Sequence, residues 1–281
     1  RNIMKTALAL GTFDGVHKGH RAVLELPPEY KKIAVVFPLP PKAALLGEPI
    51  ALMTPEDKCR VLKSIGTDEV FKLDFGKVRN MPPYNFLKFL RDTFSPDYIS
   101  CGFNYRFGKN ASGDTALLSE FCKENGITLK VCEPVTADGE TVSSTEIRAF
   151  LKSGEPEKAN SLMTEPFSYT APVIKGDERG RTLGFPTANQ KYPEVLIPVR
   201  FGVYKSSAVI NGKAYSAITD IGVRPTFKTD YIISETFIKD FSADIYGREM
   251  TVSLLGFIRG EIKFSSAEEL AAQIKKDIRS V

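Results

Sequence analysis

"ALALGTFDGVHKGH", Ala7 to His20, contains the only two histidines of a 281-residue chain. It opens on small apolar residues that read as a strand, passes through a turn punctuated by Gly11 and Gly15, and enters a helical pattern. A strand that runs through a glycine turn into a helix start presents backbone N–H groups and a helix dipole to an anion. His20 falls at the helix start and His17 in the turn before it, so both imidazoles can face one anion above the strand end. Neither G-x-G-x-x-G nor G-x-x-x-x-G-K-[ST] occurs here, which removes the dinucleotide and Walker loops. A metal pair would require a third ligand, and none is apparent.

Outward from this stretch, the first half of the chain alternates strand and helix patterns. The first helix must stop before Pro27-Pro28, and "KKIAVVF" is a second buried-strand candidate. "PYNFLKFLRDTF" carries Phe86, Leu87, Leu90 and Phe94 on one helical stripe, and "PDYISCG" supplies another strand. "TALLSEFCKENG" repeats the helical period up to Gly126, and "ITLKVCEPV" returns to strand. "SSTEIRAFLKSG" has Ser143 and Glu146 at capping-box spacing and Gly154 at its stop. Such alternation predicts an α/β domain, a parallel sheet with helices on both faces.

After about Pro166 the pattern changes. "GVYKSSAVINGKAYSAITDIG" is two β-rich runs joined by Asn211-Gly212, a strong hairpin signal. "YIISETFIKDF" and "MTVSLLGFI" add strands with no helix between them. "SSAEELAAQIKKDI" reads as a closing helix, with Ser266 and Glu269 as a capping box and Leu270, Ile274 and Ile278 as its apolar stripe. The expectation is a small antiparallel β-barrel with a C-terminal helix, and two domains, 1–165 and 166–281.

Composition narrows the function classes. A hydrophobic share of 42% with 26% charged residues suits a globular chain with a sizeable core. The net charge of +4 is spread along the chain, which suits small anionic substrates and leaves no basic face for nucleic acid. Cys59, Cys101, Cys122 and Cys132 show no C-x-x-C spacing, so they read as free thiols in a reducing cytoplasm, without zinc or disulfides. No apolar run is long enough to span a membrane, and "IMKTALALG" is broken too early for a secretory signal. A chain starting at Arg1 implies a natural start upstream. Oligomeric state is left open.

Three further groups carry chemistry. Arg148 in "SSTEIR" offers a planar fork for phosphate, although the segment also reads simply as a capped helix. In "GDERGRTLGFPTANQ", Gly176, Gly180 and Gly184 with Arg179 and Arg181 describe a basic loop suited to phosphate oxygens. Thr187 and Asn189 lie two apart on an extended segment, so their oxygens share a face and suit Mg²⁺. Period-2 spacing puts Glu235 on one face with Ile233 and Phe237. A carboxylate among apolar neighbours is a candidate base for a hydroxyl proton.

The opening stretch resembles G-x-F-D-G-V-H-x-G-H, the signature of nucleotidyltransferases with an H-x-G-H motif, in the wording of bacterial FAD synthetases. "CGFNYRFGKNASGD" and "VSSTEIR" resemble two more segments of that family, so the likeness covers most of residues 4–165. It implies a Rossmann-like nucleotidyltransferase domain. Gly11, Phe13, Asp14 and Gly19 of the signature, with Asn104, Ser143, Ser144 and Thr145, would meet the nucleotide, and His17, His20 and Arg148 would serve the transfer. "GDERGRTLGFPTAN" resembles the riboflavin kinase signature, and "GVY", "IGVRPTF" and "IRGEIKFSSAEELAAQI" continue that likeness to the end. It implies Glu235 as the base on the ribityl 5′-hydroxyl. The chain departs from the family at "VVFPLPPKAAL", where E-P-H-P is common, at Asp220 in place of Asn, and at Phe237 in place of a frequent His. Together these resemblances imply ATP- and Mg²⁺-dependent conversion of riboflavin to FMN, then of FMN to FAD and pyrophosphate. A kinase with a degenerate or differently specific first domain, or a flavin sensor without turnover, are the alternatives.

Overall fold

The computed structural model describes residues 4–137, 139–176, 185–224, 231–262 and 265–279. The expected phosphate contacts Arg179, Gly180, Arg181 and Gly184 therefore lie outside the described residues. Contacts divide the chain into two compact units, 1–144 and 145–281.

The first unit contains β1 (Thr6–Leu10), α1 (Lys18–Leu24), β2 (Lys31–Val36), α2 (Pro41–Leu46), α3 (Pro55–Ser64), β3 (Glu69–Lys72), α4 (Phe75–Val78), α5 (Pro83–Phe94), β4 (Tyr98–Gly102), α6 (Thr115–Glu124) and β5 (Thr128–Cys132). A short pair, β6 (Thr136–Ala137) and β7 (Glu140–Thr141), follows. The five main strands form a parallel sheet in the order β3-β2-β1-β4-β5. β1 is central and buried from Ala7 to Leu10, as its unbroken apolar run requires of a strand covered on both faces. α5 buries Phe86, Leu87 and Leu90 of the expected stripe, each contributing about 1.5–3 kcal/mol. Phe94 is only partly buried at its end.

No element was expected between Pro40 and Pro82, yet α2, α3, β3 and α4 lie there. α3 is announced by Thr54, whose side chain accepts the Asp57 N–H, and by Pro55 in the first turn. β3 escapes the sequence because it is a sheet edge of four residues, none fully buried, and so lacks an apolar run.

The second unit begins in α7 (Ser144–Ser153), which starts at the division, and α8 (Pro156–Leu162). It continues through β8 (Ser168–Ile174), β9 (Thr187–Lys191), β10 (Gly202–Ile210), β11 (Lys213–Arg224), β12 (Tyr231–Ile238) and β13 (Glu249–Arg259) to α9 (Ala267–Ile278). The six strands close into a barrel, β10-β11-β12-β9-β8-β13, in which every pairing is antiparallel. The Asn211-Gly212 turn pairs Ile210 with Lys213 and has positive φ at both residues, as a type I′ hairpin demands.

The barrel interior is partly polar. Ser206, Thr219 and Thr236 are buried and joined by hydroxyl contacts of 2.8 and 2.9 Å. The capping box of α9 is offset from its expected place. Ser266 accepts the Glu269 N–H, while the Glu269 carboxylate reaches the backbone and hydroxyl of Ser265. The sequence boundary at 165 falls just before β8, whereas the contact boundary falls earlier. Its cause is that α8 packs on β13 and Asn160 Nδ2 donates to the Leu254 carbonyl at 2.8 Å. All four cysteines are free, and Cys101, Cys122 and Cys132 are buried.

Candidate active sites

In the first unit the strand order reverses beside β1, with β2 on one side and β4 on the other. Open α/β sheets bind ligands at the carboxyl ends of strands flanking such a switch point. A cleft of about 360 Å³ opens there, walled by the ends of β1, β2, β4 and β5 and by the segment leading into α7. Gly11, Phe13, His17, Gly19, His20, Asn104, Ser143 and Ser144 all line it.

The turn from β1 to α1 is strained and tightly held. Phe13 (φ 50°) and Val16 (φ 37°) are buried, non-glycine residues in the left-handed region, where each costs on the order of 1 kcal/mol. Asp14 restrains them from beneath. Its Oδ1 accepts the Leu52 N–H at 2.9 Å and its carbonyl accepts the Ser144 hydroxyl at 2.8 Å. At 2% exposure its side chain faces the interior, so the structure does not bring Asp14 to the cleft surface as the sequence suggested. Ser144 lines the cleft, but its hydroxyl hydrogen is used on Asp14. Thr145 and Arg148 stand on α7 in the second unit, exposed and half-buried respectively.

His17 is the N-cap of α1 and His20 its third residue. Their rings stack at 3.6 Å between centroids and 19° between planes, with the Phe13 ring edge-on to His20 at 5.3 Å. The His17 backbone N–H donates to His20 Nδ1 at 3.3 Å, so the His20 proton belongs on Nε2. Burial, then the neighbouring His17 and Lys58, hold His20 well below the usual histidine pKa. At neutral pH His20 is an uncharged N–H donor.

Lys58 was missed by the sequence. It lies in the first turns of α3 at 1% exposure and donates to the carbonyls of Thr12 and Phe37, each at 2.9 Å. Burial pushes its pKa down to about 8, against the opposing pull of Asp14 and Cys59. The available signal was positional: Lys58 shares the face of α3 that buries Val61 and Leu62.

The barrel carries the second group of candidates. Asp220, Glu235 and Asn189 occupy directly paired positions on β11, β12 and β9, so they share one face. The alternate face holds the buried Ser234 and Thr236 together with Thr219 and points inward, which places this row on the outer wall. Thr187 lies on the same face, opposite Phe237, as its spacing from Asn189 predicted. Glu235 is half-buried. Asn189 is 5% exposed, and its Oδ1 has no hydrogen-bond partner among the described residues. Asp220 remains exposed at its surface, yet the protein packed around its carboxyl desolvates it and raises its pKa to about 6; Arg259 opposes the rise, and Glu235, Glu261 and Asp277 add to it. Among the described residues no group of three or more His, Cys, Asp or Glu could hold a metal ion. A buried, unpartnered amide oxygen does fit a hard cation such as Mg²⁺.

Fold and sites thus define a nucleotidyltransferase-type α/β unit followed by a kinase-type β-barrel. Family comparison agrees, with FAD synthetase matching residues 1–146 and riboflavin kinase matching residues 163–281. The bifunctional riboflavin kinase/FMN adenylyltransferase of Listeria monocytogenes is 34% identical, over 96% of this chain and 89% of that protein. The Escherichia coli (strain K12) protein of the same name is 33% identical, over 96% of this chain and 90% of its own. A solved structure from Streptococcus pneumoniae, described as a macrolide-efflux protein, aligns with a TM-score of 0.87 at 28% identity, covering 99% of this chain and 94% of that one. The chain belongs to the bifunctional riboflavin kinase/FMN adenylyltransferase family. Among the described residues no helix is long and apolar enough to cross a membrane.

Proposed function

We propose that the two activities of the family divide between the two units. The barrel phosphorylates riboflavin with ATP to give FMN, and the α/β unit transfers AMP from ATP to FMN, releasing pyrophosphate and FAD. The observation that carries this reading is that each unit holds its own candidate site, one built on the stacked His17 and His20 and the other on a carboxylate.

In the α/β unit the incoming FMN phosphate is already an anionic nucleophile, so alignment and charge stabilisation are what the protein must supply. His20 donates from Nε2 to a phosphate oxygen, and the His17 ring stacked on it fixes its plane. The start of α1 adds backbone N–H groups to the same anion. Both histidines are therefore donors, not an acid–base couple. Thr145 and Arg148 remain nucleotide ligands on the resemblance alone, as do Arg179, Gly180, Arg181 and Gly184 in the kinase loop.

In the barrel Glu235 accepts the proton of the riboflavin 5′-hydroxyl as that oxygen attacks the γ-phosphorus of ATP, breaking its bond to the β,γ-bridging oxygen and releasing ADP. Thr187 and Asn189 would hold the Mg²⁺ that accompanies ATP, and Gly176 lies against the Asn189 amide. Bound there, the ion would shield the phosphate charge. His20→Ala is expected to abolish FAD formation from FMN while riboflavin phosphorylation survives. Glu235→Ala is expected to do the reverse when FMN is supplied. Chromatographic product analysis from riboflavin, FMN and ATP reads both, and equal loss of both activities in either folded variant would refute separate sites.

A further inference from the structure

We propose that Lys58 is a positioning residue for adenylyl transfer: its buried ammonium clamps the histidine-bearing turn after β1 to the end of β2, setting where His17 and His20 meet the nucleotide. This rests on assigning FAD formation to the α/β unit, and deepens that assignment.

A lysine at 1% exposure in the opening turns of a helix is an expensive arrangement. Burial disfavours its charge, and so does the positive end of the helix dipole. A methionine or leucine would fill similar space without either penalty. The contacts of the ammonium show what the charge supports. Its two carbonyl partners, Thr12 and Phe37, belong to the loops that follow neighbouring strands, and both residues line the cleft. One cation therefore ties the two rims together across the switch point. It also directs two carbonyl oxygens toward itself, at the edge of a site expected to hold polyphosphate.

The clamped turn cannot hold its shape through local preference. Phe13, next to Thr12, and Val16 both sit at positive φ, so the turn relaxes unless contacts from elsewhere restrain it. Asp14 supplies one restraint through Leu52, the Ser144 hydroxyl a second on the Asp14 carbonyl, and Lys58 a third from α3. The charged and titratable groups acting on Lys58 or sensing its charge are Asp14 in the turn, Cys59 on its own helix and His20 on α1, with His17 stacked on His20. Lys58 does not touch the reacting atoms in this assignment; it acts through the turn.

The test uses full-length protein with FMN, ATP and Mg²⁺, comparing wild type with Lys58→Met and Lys58→Arg across pH 6 to 10. Riboflavin phosphorylation by the same chain is the internal control. At pH 7, Lys58→Met is expected to lower kcat for FAD formation by about ten- to a hundredfold, the penalty of misplacing catalytic groups by a fraction of an ångström to an ångström. Kinase activity should stay within twofold. Wild type should lose adenylyl transfer as pH rises through about 8, where Lys58 deprotonates. Lys58→Met should lack that alkaline limb, and Lys58→Arg, charged throughout, should recover rate and lack it too. Lys58→Met at the wild-type rate, or the same alkaline limb in wild type and Lys58→Arg, overturns the proposal. If Lys58→Met does not fold, the wild-type and Lys58→Arg profiles decide. Wild type that forms no FAD at any pH refutes the assignment of the α/β unit itself, a separate outcome.

Discussion

Gly19→Ala should make the first unit slightly more stable and markedly less active. Gly19 is the second residue of α1, and a Cβ built on it would lie 3.1 Å from both Cε1 and Nδ1 of His17 and 3.6 Å from the Val142 carbonyl oxygen. Ordinary carbon contacts sit at about 3.5–4.0 Å, so the His17 ring must retreat by about half an ångström. That ring is stacked on His20 at 3.6 Å, and its displacement frees the second imidazole from its fixed plane. Misplacement by about 1 Å can cost about a hundredfold, so half that distance implies about a tenfold loss in kcat for FAD formation. The helix responds in the opposite sense. Gly19 is not among the positive-φ residues, so alanine fits its backbone and stiffens the unfolded chain, adding about 0.5 kcal/mol. The assay pairs saturation kinetics of FAD formation with thermal unfolding, and riboflavin phosphorylation serves as control. A variant with the wild-type rate would refute the claim that the stacked geometry matters. Loss of stability together with rate would show that the methyl collapses the turn instead of moving one ring.

In the barrel, a Cβ at position 176 would lie 2.6 Å from Asn189 Cγ, so Gly176→Ala must swing that amide aside. Riboflavin phosphorylation should fall by at least about tenfold, while FAD formation from supplied FMN is unchanged, as product chromatography would record. An unchanged kinase rate would show that the Asn189 oxygen is not needed. Acidification should act on the two units in opposite directions. His20 titrates below its unfolded value of 6.5 when folded, so the unfolded chain binds the extra proton first. The stability it contributes is present above pH 6.5 and lost as pH falls through the folded pKa, at up to about 1.4 kcal/mol per pH unit. Asp220 titrates at about 6 when folded against 3.8 unfolded, so its contribution is full below 3.8 and lost as pH rises through 6. Urea unfolding at stepped pH should show both slopes, with His20→Gln removing the first and Asp220→Asn the second.

What could be read before folding was local. Leu8 and Leu10 in an unbroken apolar run, Phe86, Leu87 and Leu90 at helical spacing, and Asn211-Gly212 between alternating strands each state their element within a few residues. The facing of Glu235 with Thr187 and Asn189 was legible for the same reason, because side chains alternate strictly along a strand. β3 was not legible, since an edge strand with no fully buried residue carries little pattern.

The sequence by itself determined the two architectures, their order along the chain, the histidine pair at a helix start and the carboxylate on a barrel strand. Periodicity and turn chemistry act over a few residues and leave their mark in composition. Only the tertiary structure decided what the polar side chains do. It turned Asp14 inward to Leu52, 38 residues away, and used the Ser144 hydroxyl to hold the turn. It also brought Lys58 across 46 residues to the Thr12 carbonyl. Those partners are chosen by which strands lie side by side in the sheet, and a buried charge or carbonyl takes whichever partner the packed chain delivers.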